Sequence, residues 1–207
     1  MAGYAMNKAL FFLATLGLAA VSACSSGGDS SNSAQEAPLA GARIGAPFSL
    51  TNQDGQRVNW DSFKGKYRLV YFGYTYCPDV CPVDLQKITQ AFRQFEKQAP
   101  ARAAKVQPIF ITVDPERDTA PVIKNYVTAF HPRLIGLTGT PQEIAKVAKD
   151  FAVIYSKEGA GKDYLVSHSR TPYLFGPDGN PIALIPVGEN AEGSSDAILK
   201  TLDTWVK

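Results

Sequence analysis

Three side chains stand out for the chemistry they can do together. Cys77 and Cys81 enclose Pro78, Asp79 and Val80, and His168 is one of only two histidines in 207 residues. Two cysteines four apart share a face if they fall in a first helical turn, with Cβ atoms about 5 to 6 Å apart. There they can share a metal or, with some bending, close a disulfide. The open N–H groups and positive dipole end of a helix start favour thiolate, the form that attacks disulfides and ligates soft metals. Two thiolates select ions such as Cu(I), and an imidazole completes a three-coordinate site that also tolerates Cu(II). A closed zinc site would want a fourth protein ligand, and Cys24 stands far off in a polar stretch. Copper fits this supply of donors better than zinc.

Plainer roles compete for the same residues. A structural disulfide is natural in an exported protein, but a loop this small constrains the unfolded chain little. A lone histidine is more often a surface or core residue than a ligand, and only the dithiol raises the standing of His168. His131, after a helical pattern ending at Phe130, is expected to sit exposed at a helix C-terminus in a structural role. Tyr71, Tyr74 and Tyr76 lie close to the dithiol in sequence, and each taken singly is expected to be packing.

The elements that must position these groups alternate between strand and helix from residue 42 on, which argues for an α/β domain over 42–207. Residues 48–60 read as a β-hairpin around Asp54-Gly55. The apolar run 68–72 (RLVYF) is a strand covered on both faces, and Leu85, Ile88, Phe92 and Phe95 then recur at helical spacing. The dithiol is thus placed where a strand hands over to a helix. Strands follow at 106–113, 134–137, 153–157, 173–175 and 181–185, with helices over 119–130, from Thr140 to about Phe151, and at the C-terminus. Thr140-Pro141-Gln142-Glu143 is a capping box. His168 falls between a loop rich in Gly and Lys and the strand at Tyr173, and Pro172 reads as a turn residue.

Residues 1–23 read as an export signal: Lys8, then an apolar run from 9 to 20, then Val21-Ser22-Ala23. The run falls short of the roughly 20 residues a bilayer span needs. Small residues leading into Cys24 resemble the lipobox of bacterial lipoproteins, which implies lipidation of Cys24 and a lipid-anchored domain in the periplasm of a bacterial cell envelope. Residues 24–41 are Ser/Gly/Ala-rich and read as a flexible tether. The 21 basic and 19 acidic residues are interspersed, so no stripe of like charge offers itself to nucleic acid.

GYTYCPDVCPVDL, ITVDPERDT, FHPRLIGLTGT and YLVSHSRTPYLFGPDG, in this order, resemble the Sco/SenC family of thioredoxin-fold copper proteins, over nearly all of the domain from about Gly45. The CxxxCP element alone is moderately specific; four elements in order are strongly so. The resemblance implies a thioredoxin-like three-layer sandwich, here with the N-terminal β-hairpin as an extension. It implies Cys77, Cys81 and His168 as copper ligands, with Cys77 and Cys81 also able to form a redox disulfide. It implies a metallochaperone that assists assembly of the copper A centre of cytochrome c oxidase. The copper A-bearing subunit is then the partner, alongside other periplasmic copper or thiol-redox proteins. Where the family commonly has Asp before the ligand histidine, this chain has Ser167, which can orient the imidazole only weakly. Asp114 resembles a family position near the site and serves equally as a turn residue before Pro115.

The chief rival is an enzyme, a thiol-disulfide reductase that keeps oxidase cysteines reduced. A CxxxC loop is one residue longer than the common redox motif, which counts against it, and a reductase has no evident need of His168. A thiol peroxidase is weaker, since Thr75 stands only two residues before Cys77.

Overall fold

The computed structural model describes residues 36–188 and 193–207. The expected signal segment, Cys24 and the tether up to residue 35 lie outside the described residues.

The expected hairpin forms from β1 (Ser49–Asn52) and β2 (Arg57–Asn59), with Leu50 opposite Val58. Asn52 closes its turn, its Oδ1 accepting the N–H groups of Asp54 and Gln56. Gly55 takes φ +78°, a conformation that glycine adopts at no steric cost. A 3-10 turn at Trp60–Phe63 then leads into β3 (Tyr67–Gly73), whose seven residues are all buried. The helix α1 (Val80–Gln98), the short α2 (Pro100–Ala103) and β4 (Val106–Thr112) follow. Next come α3 (Ala120–Phe130), β5 (Ile135–Thr138) and α4 (Pro141–Asp150). The capping box at α4 is present: Thr140 Oγ1 accepts from Glu143 N at 3.2 Å, and Glu143 Oε2 accepts from Thr140 N at 2.8 Å.

After α4 the chain forms a separate antiparallel ribbon of β6 (Tyr155–Glu158) and β7 (Leu165–His168), then β8 (Tyr173–Phe175), β9 (Pro181–Leu184) and α5 (Ser195–Trp205). The main sheet has the order β2-β1-β5-β4-β3-β8-β9. Strands β3, β4 and β5 run parallel, with Val70 beside Ile109 and Ile109 beside Ile135; β8 returns antiparallel to β3.

Because side chains alternate along a strand, β3 serves both layers. Tyr71 meets Asp84 of α1 and the ring of Phe110, which in turn packs on Tyr126 of α3, and α5 packs along α1. Phe72 points the other way, onto Phe151 after α4, where Trp60, Phe48 and Phe175 complete an aromatic cluster. This is the thioredoxin-like sandwich expected, with β1 and β2 as its added hairpin. No helix among the described residues is long and apolar enough to cross a membrane.

The structure differs from expectation at two histidines. His131 is 3% exposed rather than on the surface: its Nε2 lies 3.1 Å from Glu96 Oε2 and its Nδ1 accepts from Arg133 N. The ring fills space against Phe92, and burial holds its pKa below the usual histidine value, so the imidazole serves there as a neutral hydrogen-bonding wedge. His168 is the last residue of β7, a strand not among those expected from the sequence. The segment 165–168 is short and has no turn signal of its own. Its ladder, Tyr155 to His168 and Lys157 to Val166, is visible only with its partner in place.

Candidate metal centre

The dithiol lies at the start of α1, but its two halves are held differently. The helix begins at Val80 with Asp79 at the N-cap, so Cys81 is in the first turn and Cys77 is in the loop before it. The expectation of two cysteines on one helical face is corrected accordingly. Asp79 makes no side-chain cap, and the Cys77 sulfur accepts from the N–H of Cys81 at 3.4 Å instead, satisfying one of the free donors at the helix start. The Cys77 N–H donates back to Tyr74 O at 3.3 Å, which closes the turn that brings the sulfur over the helix.

The third donor arrives from β7. His168 Nε2 lies 3.0 Å from Cys81 Sγ, and the two sulfurs and a ring nitrogen all fall within 4.8 Å of one another. His168 Nδ1 is 3.0 Å from the Ser169 carbonyl oxygen, which can only accept. The neutral ring therefore carries its proton on Nδ1 and turns the lone pair of Nε2 toward the sulfurs. One ion can bridge three atoms so spaced, and two sulfurs with one imidazole are a soft donor set suited to copper.

The two thiols are electrostatically unequal. Hydrogen bonding from Cys81, helped by the N–H groups of Asp79 and Cys81, lowers the Cys77 pKa to about 3 against the opposing effect of burial. Cys81, fully buried, is pushed up by its hydrogen bond to Cys77 and by burial, so it keeps the proton. Both are free thiols in this structure. The pair thus shares one negative charge, ready for a cation.

Around the donors stand residues whose roles were hidden in the sequence. Tyr71 and Tyr74 both stack edge-on against His168, at centroid distances of 6.5 and 6.0 Å. The Tyr74 hydroxyl accepts from Val166 N at 3.2 Å, and the Tyr71 hydroxyl donates to Asp84 Oδ2 at 3.2 Å. Tyr76 instead points outward, 54% exposed, with the Arg117 guanidinium over its ring. Asp118, in the quoted ITVDPERDT element but not singled out there, accepts from Thr75 N at 3.0 Å and from the Thr75 and Thr112 hydroxyls at 2.5 Å each. It ties the loop before Cys77 to the end of β4.

Asp114 is fully buried, and its carboxylate takes Tyr164 Oη at 2.6 Å and Arg117 Nε at 2.5 Å. It braces the residue just before β7, at one remove from the donors. Ser167 is exposed, and strand alternation turns its side chain away from the face that His168 presents.

The family profile described as SCO1/SenC matches residues 36–203. The chain belongs to the SCO1/SenC family. Its relatives include the mitochondrial SCO1 homolog 1 of Arabidopsis thaliana, 42% identical over 84% of this chain and 52% of that protein. The copper-bound ScoI structure of Bradyrhizobium japonicum is 41% identical, with TM-score 0.69 over 78% of this chain and 99% of that one. The structure of BsSco, described as a member of the Sco family of cytochrome c oxidase assembly proteins, is 28% identical with TM-score 0.62, over 78% of this chain and 94% of that one. The chain spans about half the length of the curated SCO1/SenC relatives it matches. These relatives overturn one expectation, the bacterial cell envelope with its periplasmic lipid-anchored domain. The Arabidopsis, bovine, human and yeast proteins, 36 to 44% identical, are mitochondrial. The resemblance of residues 21–24 to a lipobox is a four-residue pattern of small side chains, too little to weigh against likeness over the whole domain.

Proposed function

We propose that this chain is a copper metallochaperone that delivers the ion to the copper A-bearing subunit of cytochrome c oxidase. The observation that carries the reading is His168 Nε2 at 3.0 Å from Cys81 Sγ, with Cys77 Sγ in the same cluster. A ring nitrogen with its lone pair aimed at two sulfurs serves metal ligation directly, whereas disulfide exchange needs only the sulfurs. The copper-bound relatives and the description of BsSco support the same reading. Membrane attachment belongs to the same reading, and is tested by whether the full chain sediments with membranes.

The test uses copper titration and metal analysis of the reduced protein. Cys77→Ser or Cys81→Ser is expected to abolish binding, and His168→Ala to weaken it by at least ~10-fold, since even outer partners of a metal site cost about 10- to 100-fold. In cells that depend on this protein, His168→Ala should keep dithiol reactivity toward a small disulfide yet fail to restore the copper A centre when copper is scarce. Full restoration by His168→Ala, with none by Cys77→Ser, would make thiol exchange the principal activity.

A further inference from the structure

We infer that Asp84 and Arg170 are a positioning pair for the metal centre, a part-buried ion pair that sets where the His168 imidazole points. The inference rests on the copper reading above. Asp84 follows Cys81 by three residues on α1, so the two lie on neighbouring positions of one helical face, and its carboxylate is fully buried. Arg170 follows His168 by two residues. Its Nε donates to Asp84 Oδ2 at 2.9 Å and its Nη2 to Oδ1 at 2.6 Å, a two-pronged contact that fixes orientation as well as distance. Tyr71 Oη donates to the same carboxylate at 3.2 Å.

Between His168 and Arg170 lies Ser169, whose carbonyl receives the imidazole Nδ1–H. Ser169 is held on its other side by Ile154: Ser169 N donates to Ile154 O at 2.9 Å, and Ile154 N to Ser169 Oγ at 3.0 Å. The peptide joining residues 169 and 170 carries that carbonyl and is gripped at both ends, by Ile154 and by Asp84. Residues 169–172 belong to no strand or helix; backbone hydrogen bonds hold them at the ends, Ser169 N to Ile154 O at 2.9 Å and Ile185 N to Pro172 O at 2.8 Å. The ion pair therefore couples the helix that supplies Cys81 to the segment that aims the third ligand. A buried ion pair is seldom needed for stability, because apolar residues of similar volume pack as well. A fixed geometry is what the fork adds here.

The test separates positioning from mere folding. Removing Arg170 alone leaves the Asp84 charge buried without its cation, so the main variant is the neutral pair Asp84→Asn with Arg170→Met, in which Asn still accepts from Tyr71. Arg170→Lys is the conservative comparison. Each is made in the full-length chain with and without His168→Ala. Copper affinity is measured by chelator competition, and the His168 ring tautomer by NMR of the metal-free protein.

The neutral pair should weaken copper binding by at least ~10-fold when His168 is present and change nothing further when His168 is alanine. Arg170→Lys should fall between. In the metal-free protein the ring should lose its single Nδ1-protonated form. Equal weakening in both backgrounds, or no weakening with an unchanged tautomer, would overturn the inference. If the unaltered protein binds no copper, the proposed function falls, and the tautomer measurement still decides the role of the pair.

Discussion

Replacing Tyr74 by Phe removes one oxygen and leaves the aromatic contact with His168 in place, since the ring stays edge-on at 6.0 Å. Tyr74 is 2% exposed and Val166 is 4% exposed, so water cannot readily take over the lost acceptor. The Val166 N–H, now 3.2 Å from the hydroxyl, would be buried without a partner. A buried donor left unsatisfied costs about 1 to 3 kcal/mol. If the cost is felt as local opening of the β6–β7 ribbon, hydrogen exchange at the Val166 amide should speed up by about 5- to 150-fold, at tenfold per 1.4 kcal/mol. Copper affinity should fall in the same variant, less than in His168→Ala, because β7 carries the imidazole at its end. Exchange is measured amide by amide by NMR on the reduced, metal-free protein. An unchanged Val166 rate would refute the claim that the phenol pins β7 to the sheet. A faster rate with unaltered copper affinity would separate the ribbon from the metal site.

Two further outcomes follow from the charge and packing of the domain. The Cys77 thiol is lowered to about 3, against about 8.5 in an unfolded chain, so its stabilising effect is complete above about pH 8.5 and is lost as pH falls toward 3. The difference in urea midpoint between the reduced wild type and Cys77→Ser should therefore shrink steadily on acidification. Alkylation of Cys77 should stay level between pH 8 and 5, where an ordinary thiol slows by about tenfold per unit; an ordinary profile would contradict the site electrostatics. Gly136→Ala would set a methyl 2.1 Å from Ile123 Cγ2 and 2.9 Å from Val127 Cγ1, forcing α3 off β5 at a cost of about 1 to 3 kcal/mol in urea unfolding. A neutral result would mean that α3 packs more loosely there than the structure has it.

The metal donors were legible in the sequence because their chemistry is a matter of residue type. Two cysteines four apart at a strand-to-helix handover, with few histidines to choose from, already pointed to Cys77, Cys81 and His168, and four ordered motifs resembled a known family. The main sheet was legible too, since the buried strands β3 and β4 are mostly apolar runs and the capping box at Thr140 depends on residues three apart. What the sequence could not decide were relations between distant residues. Cys77 lies outside α1 because its sulfur, rather than the Asp79 side chain, accepts from the helix start. β7 exists because β6 lies beside it. His131 is buried because Glu96, 35 residues back on α1, satisfies one ring nitrogen, while the nearby Arg133 N–H satisfies the other. Asp84 and Arg170, 86 residues apart, read as an ordinary helix acid and a loop base until the fold brings their charges together. Residue type determined which atoms can bind the ion; only the tertiary structure decided how they are aimed, because orientation is set by long-range hydrogen bonds whose partners no local pattern reveals.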